Sequence, residues 1–339
     1  MNIVTKQLEL VAATFSDWQS EIKFAIRDPM ELCRALNLPE SVGRAAKSVT
    51  SDFALFAPRP FVQRIQAGRL DDPLLRQLLP LPTENELRDG FTVDAVGDGP
   101  ATVASGVIMK YPGRALLIVT GACAIHCRYC FRRHFPYETT PKGAAQWEHA
   151  LAGIGHDTNI EEIILSGGDP LMLTDSGLQS LLSLITELPH VRRVRVHTRL
   201  PIMIPARVTQ QLVETFANLP QTVVIVIHSN HANELDEQVA IALDKLHACG
   251  CLLLNQSVLL RGVNDNAETL CDLSAKLIEM RVIPYYLHQL DRVQGASHFE
   301  VPIEVGTALI EQMRNSLPGY AVPRYVSEIP GESSKRIIM

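Results

Sequence analysis

Cysteine is scarce, with seven in 339 residues, and the odd count argues against a secreted disulfide framework. Charge of one sign is scarce too. Thirty-one Lys and Arg against 37 Asp and Glu give a net charge of -6 and a pI near 6.0. That balance argues against a general binder of nucleic acid or of anionic membranes, and it leaves room for a local basic site. No run of about 18 apolar residues occurs, so no transmembrane segment is expected. The start, "MNIVTKQLELVAATFSDWQSEIKFAIRDP", carries acidic residues and lacks the charged-then-apolar layout of a signal peptide. Internal repeats and low-complexity tracts are missing as well. What remains is a 37.5 kDa chain with 46% hydrophobic and 20% charged residues, enough to bury a large core. A reducing cytoplasm is the expected setting.

Two regions are expected. Residues 1–100 read as mostly helical, with short helices broken by prolines in "SDWQSEIKFAIRD", "DPMELCRALNL", "PRPFVQRIQ" and "DDPLLRQLLP". Asp28-Pro29 and Asp72-Pro73 have the form of helix entries, because the carboxylate caps free N–H groups and proline tolerates the first turn. "FTVDAVGDGPATVASG" reads as a loop or small hairpin closing this region. From 101 to 339 the pattern alternates. The strands expected are "RALLIVT", "IEEIILSGGD", "VRRVRVHTR", "TVVIVIHSN", "CLLLNQSVLL" and "VIPYYLHQLD", separated by amphipathic helical stretches. Alternation with short connections implies parallel strands and an α/β fold, here a partial (β/α)6 TIM-like barrel. Five of these strands carry His, Asn or Asp at or near their C-terminal side, and in parallel α/β folds those ends converge on the ligand face.

The densest chemistry is "GACAIHCRYCFRRHF", residues 121–135, with Cys123, Cys127 and Cys130 on the loop after the first barrel strand. Such spacing lets three thiolates surround one centre. A structural zinc site with His126 or His134 as fourth ligand, an iron–sulfur cluster, and unligated cysteines are all open at this point. The remaining cysteines, Cys33, Cys249, Cys251 and Cys271, are scattered among apolar neighbours. Three protein ligands on a four-iron cluster would leave one iron free to act on something else.

The Cys-x3-Cys-x2-Cys motif in this position resembles the radical S-adenosylmethionine (SAM) superfamily. The segments "YPGRALLIVTGACAIHCRYCFRRHF", "RVHTRLPIMIPARVT", "HSNHANEL", "LLNQSVLLRGVNDN" and "PYYLHQLDRVQGASHF" are similar, in order, to lysine 2,3-aminomutases. Within that family the resemblance is to the short bacterial branch that makes β-lysine for modifying elongation factor P, since the chain ends at "PGESSKRIIM". The resemblance implies a 4Fe–4S cluster on Cys123, Cys127 and Cys130, whose unique iron chelates SAM. It also implies pyridoxal 5′-phosphate (PLP) and transfer of an amino group from C2 to C3 of L-lysine, with SAM regenerated. An external electron donor is implied, together with a ligase that passes the product to elongation factor P, and neither nucleic acid nor membrane. The alternatives are β-lysine for catabolism or osmoprotection, and a non-catalytic zinc-binding protein.

By the same resemblance, Lys335 holds PLP, although a lysine so near the C-terminus otherwise reads as a solvated tail. Ser166, Gly167, Gly168 and Asp169, in "SGGDPL", match the segment that binds the SAM amine. Arg132 matches the arginine that grips the substrate carboxylate, a task suited to its planar fork. Asp291 and Glu328 match the two carboxylates that hold the lysine side-chain ammonium, with Glu328 standing where the longer enzymes have aspartate. Arg114 is a candidate for an anionic group of PLP. His197, His228, His231 and Asn230 are expected to line the SAM or PLP pocket, and Asn255, Gln256 and Ser257 are further pocket candidates.

Overall fold

The computed structural model describes residues 17–49, 53–141 and 143–339. Residues 1–16, on which the reading of the N-terminus partly rests, lie outside them. The N-terminal region forms short helices: α1 (Trp18–Lys23), α2 (Pro29–Ala35), α3 (Glu40–Lys47), α4 (Arg59–Val62) and α5 (Pro73–Arg76). Both Asp-Pro entries cap as expected. Asp28 Oδ1 accepts from the Met30 N–H at 3.1 Å, and Asp72 Oδ1 accepts from Leu74 and Leu75 at 2.8 and 3.1 Å. Asp72 Oδ2 takes a third N–H, from Gln66 at 2.9 Å. Because Asp72 is buried, Asp72→Ala would leave those donors unsatisfied and should lower stability by about 2 kcal/mol. The check is a denaturant melt, where the midpoint falls at unchanged slope; an unmoved midpoint would show the cap to be dispensable.

A small hairpin, β1 (Thr102–Ala104) and β2 (Val107–Ile108), enters the sheet. The six expected strands follow as β3 (Arg114–Thr120), β4 (Glu162–Gly167), β5 (Arg193–Thr198), β6 (Thr222–His228), β7 (Leu252–Val258) and β8 (Ile283–His288). They pair in parallel, each with the next. Two further strands were not expected. β9 (Arg324–Ser327) adds in parallel to β8, and β10 (Arg336–Ile337) returns antiparallel to β9. The sheet runs in chain order and stays open, which makes the barrel a partial one. Helices α6 (Ala144–Ile154), α7 (Asp175–Thr186), α8 (Leu200–Met203), α9 (Gln210–Ala217), α10 (Glu237–Ala248), α11 (Ala267–Glu279) and α12 (Ile303–Ser316) connect the strands. Thr174, Asp236 and Asn266 cap three of them from their first turns.

Alternate strand residues decide the layering. Ala115, Leu117, Ile163, Leu165, Val194, Val196, Ile225 and Leu253 are buried in the core shared with the helices. That core also contains Trp18, Ile26, Leu32, Phe61 and Leu74, so the N-terminal helices pack against the barrel. Arg64 fastens the join, donating to Asp236 Oδ2 and the Ile202 carbonyl, each at 2.6 Å. Among the described residues no helix is long and apolar enough to cross a membrane.

Candidate active site

The cysteine loop leaves β3 at Thr120, whose hydroxyl accepts from the Ala122 N–H at 3.1 Å. A tight turn follows, in which Cys130 N–H donates to the Cys127 carbonyl at 2.9 Å. The three thiols are free. Among the described residues no group of three or more His, Cys, Asp or Glu side chains is arranged to hold a single metal ion, while Cys123 feels the charge of both other thiols of the loop. Burial, reinforced by the adjacent thiols, pushes Cys123 well up and Cys130 to about 11. Such a donor set suits a soft metal centre, whose positive charge offsets both desolvation and thiolate repulsion.

The positive charge around the motif has a structural task. Arg128, fully buried, donates from Nε to Glu84 Oε1 at 2.8 Å and from Nη1 to the Phe53 carbonyl at 2.7 Å. Arg133 donates to the other oxygen of Glu84 at 2.9 Å. One carboxylate from the N-terminal region thus pairs with two arginines of the cysteine loop and leaves a net positive charge there. His126 lies 2.7 Å from the Ala54 carbonyl and stacks on Phe53, while His134 lies 3.3 Å from the Gln294 carbonyl. Each imidazole has one ring nitrogen on a backbone carbonyl, a pairing that leaves its other nitrogen to a ligand.

At the end of β4 the "SGGD" turn lies hard against this loop. Gly167 has φ +130°, and a Cβ there would stand 2.5 Å from the Thr120 carbonyl oxygen. A Cβ on Gly168 would collide with the Ala122 carbonyl. Only glycine permits this approach. Asp169 is engaged internally: its carboxylate accepts from Leu171 N–H (3.0 Å), Thr198 hydroxyl (2.7 Å), Arg199 N–H (2.7 Å) and Leu200 N–H (3.1 Å). It braces the end of β4 to the end of β5.

Beside these loops runs a buried chain of alternating charge. Arg132 donates from Nε to Asp98 Oδ2 at 2.6 Å and from Nη1 to Ser166 Oγ at 3.0 Å. Asp98 pairs with Lys110 at 2.7 Å, and Lys110 stands 3.4 Å from Glu328. Glu328 accepts from Tyr111 hydroxyl at 2.7 Å and forms an ion pair with Lys335. The pairing of β9 with β10 explains that last contact. Glu328 directly follows β9 and Lys335 directly precedes β10, where Arg336 pairs with Ser327, so the intervening turn folds Lys335 back beside Glu328.

Asp291 belongs to the same group: burial raises it to about 7, against the pull of Lys335. His197 and His288 are held well below the usual histidine value, first by burial, and Lys335 adds to it in both. The Nε2 atoms of both rings are buried without a protein partner. Orphaned imidazole nitrogens beside a lysine and an arginine fit a bound polar cofactor. Arg114 opens β3 at the end away from the cysteines, in a cavity of about 450 Å³ that Arg193, Arg195, Glu162 and Tyr285 also line. Its guanidinium lies over the Tyr111 ring at 5.7 Å, and that ring's hydroxyl reaches Glu328, so Arg114 connects to the Lys335 group.

Residues 117–273 match the radical SAM superfamily. The L-lysine 2,3-aminomutase of Escherichia coli is 46% identical over 94% of this chain and 93% of its own length. The chain belongs to the lysine 2,3-aminomutase family. A Haemophilus influenzae protein of the same name is 42% identical over 95% of both chains. One from Clostridium subterminale is 30% identical over 96% of this chain and 79% of its own. Radical SAM membership implies a 4Fe–4S cluster and SAM, and the family's reaction makes the protein an isomerase.

Several polar residues of this aminomutase-family barrel, expected in the pocket, make hydrogen bonds within the protein. Asn230, fully buried, donates to Gln77 at 3.0 Å and to Tyr129 at 2.7 Å, and accepts from Val258 N–H at 2.8 Å. Asn255 and Ser257 both bind the backbone of Ser229. His231 caps a short turn by accepting from Asn233 N–H at 3.0 Å. His228, kept neutral by burial, stands 3.1 Å from the Tyr129 hydroxyl. Gln256 sits at a register shift between β7 and β8. Conversely, Asp98, Lys110, Tyr111, Arg199, Glu234 and His288 stand at or beside the site without a motif that marks them. Asp98 lies in a Gly-Asp-Gly-Pro stretch that reads as an ordinary turn. For His288 and Arg199 a signal existed, since both sit in the polar strand endings "HQLD" and "HTR".

Proposed function

We propose that the protein is a PLP-dependent radical SAM lysine 2,3-aminomutase that converts L-lysine to β-lysine for the modification of elongation factor P. The observation that supports it most is the meeting of Lys335, Glu328, Asp291 and Arg132 in one partly buried charge group beside the cysteine loop. In this reading Cys123, Cys127 and Cys130 hold the cluster, and the Ser166–Gly168 turn leaves room for the amine of SAM. Lys335 anchors PLP, with Arg114 and Tyr111 on the side of its anionic group. When bound, the cluster and SAM supply a carbon radical able to take a C3 hydrogen, and PLP supplies the conjugated carbonyl that carries the migrating nitrogen. An external one-electron donor feeds the cluster.

The chain's own side chains supply binding and orientation. Asp98 and Ser166 hold Arg132 from two sides, so its fork is preset for a carboxylate before substrate arrives. Asp291 and Glu328 would take the side-chain ammonium, and their partial burial strengthens the attraction. The described part of the N-terminal region supplies Gln77, Glu84 and Asp98 to the surroundings of the site.

Asp291 gives a pH signature. With its carboxyl at about 7 in the free protein, half of it is neutral near that pH, and only the ionised form attracts an ammonium. KM for L-lysine should therefore fall as pH rises from about 6 to 8, and Asp291→Asn should raise KM and flatten that dependence. A slope unchanged in Asp291→Asn would remove this role.

The reaction is tested by anaerobic turnover with L-lysine, SAM, PLP and reductant, reading β-lysine by chromatography. No β-lysine from cluster-loaded protein would end the proposal. The purpose is tested by comparing β-lysylated elongation factor P in a deletion strain and its parent. Unchanged modification would turn the reading towards catabolism or osmoprotection.

A further inference from the structure

Arg199 follows β5 and is only 7% exposed. Its Nη1 donates to Cys127 Sγ at 2.8 Å, the one charged side chain seen on a thiol of the motif among the described residues. Nη2 donates to Gln77 Oε1 at 2.6 Å and Glu234 Oε2 at 2.9 Å. The backbone N–H is held by Asp169, and the rings of Phe61 and Tyr129 lie 5.7 and 5.8 Å from the guanidinium. Glu234, fully buried, is fixed in turn by Gln77 Nε2 (3.0 Å), Asn230 N–H (2.9 Å) and His231 N–H (3.1 Å). A guanidinium so placed can neither swing away nor be screened by water. Its charge stays against one sulfur.

We propose that Arg199 and Glu234 set the reduction potential of the cluster held through Cys127, as positioning residues of opposite sign. The inference rests on the cluster reading of the three cysteines given above. Reduction places one more electron on the cluster and makes it more negative by one charge. A buried cation donating to a ligand thiolate stabilises that added charge, and more so in a low-dielectric interior. Glu234 lies beyond the guanidinium and partly offsets it. Arg199 therefore favours the reduced state, from which the electron passes on to SAM, and Glu234 restrains that preference.

The two charges predict opposite shifts, which loss of packing alone would not produce. Anaerobically reconstituted wild type, Arg199→Met, Arg199→Lys and Glu234→Gln are compared by redox titration followed by electron paramagnetic resonance, with iron and sulfide counted in each. In Arg199→Met the reduction equilibrium constant should fall at least tenfold, about 59 mV for one electron. Glu234→Gln should move the midpoint upward, and Arg199→Lys should restore more than half of the loss. Should Arg199→Met fail to take up a cluster, the other two variants decide. Midpoints that stay at the wild-type value, or that all shift in one direction, overturn the inference and leave the cluster reading standing. A wild-type chain that assembles no cluster under these conditions sinks both.

Discussion

Cys127→Ala should lose its iron and its activity together, with turnover falling by at least about 10⁴, or more than 5 kcal/mol of barrier. Two thiols cannot hold a cluster that already depends on three. The damage extends beyond the missing ligand, because Arg199 Nη1 loses its acceptor and a buried charged donor is left without a partner. Cys271→Ala is the matching control. Cys271 packs against the separate core formed by Leu259, Leu270, Leu287 and Tyr325, so iron content and turnover should stay near wild type. Iron retained at wild-type level in Cys127→Ala would withdraw that residue from the ligand set.

Lys335→Ala should retain its iron and lose the lysine-dependent visible absorbance that PLP gives the loaded protein, with turnover down at least about 10³-fold. Its effect on Asp291 has a defined sign. Lys335 favours the ionised form of that carboxyl, so removing it raises Asp291 further above its starting value of about 7. Any residual lysine binding, followed by calorimetry, should therefore need a more alkaline solution than in the wild type. Glu328 keeps Tyr111 and Lys110 after the change, so the pocket is not left with an unpaired carboxylate and the fold should survive. Absorbance that persists unchanged would show another lysine to be the anchor.

The six central strands were legible from apolar runs in β3, β4 and β6, from alternation of Arg and Val in β5, and from the regular spacing of β7 and β8 between helical stretches. The two Asp-Pro helix entries were legible because capping is a contact over two or three residues. β9 and β10 were not, since four and two residues carry too little pattern to register as strands. Their omission mattered. Without β10 Lys335 reads as a tail, whereas the chain end is in fact stitched down by Ile338 N–H on the Tyr325 carbonyl at 2.8 Å and by packing of Ile338 and Met339.

The polar strand endings look alike in the sequence and have two kinds of partner in the fold. Ser166, His197, His288 and Asp291 join the charge group, whereas Asp169, Asn230, Asn255 and Ser257 satisfy neighbouring backbone and side chains. A buried turn needs hydrogen-bond partners as much as a ligand does, and both needs select the same residue types.

The sequence by itself determined the alternating scaffold, the three-cysteine loop and the glycines that let backbone approach it, because each is written in residues close together along the chain. Only the tertiary structure decided which charges meet. Asp98, Lys110, Arg132, Glu328 and Lys335 come from the N-terminal region, the strand ends and the final hairpin, and full or partial burial favours an opposite partner for each. That choice depends on distance and dielectric in the folded interior, which no local pattern records.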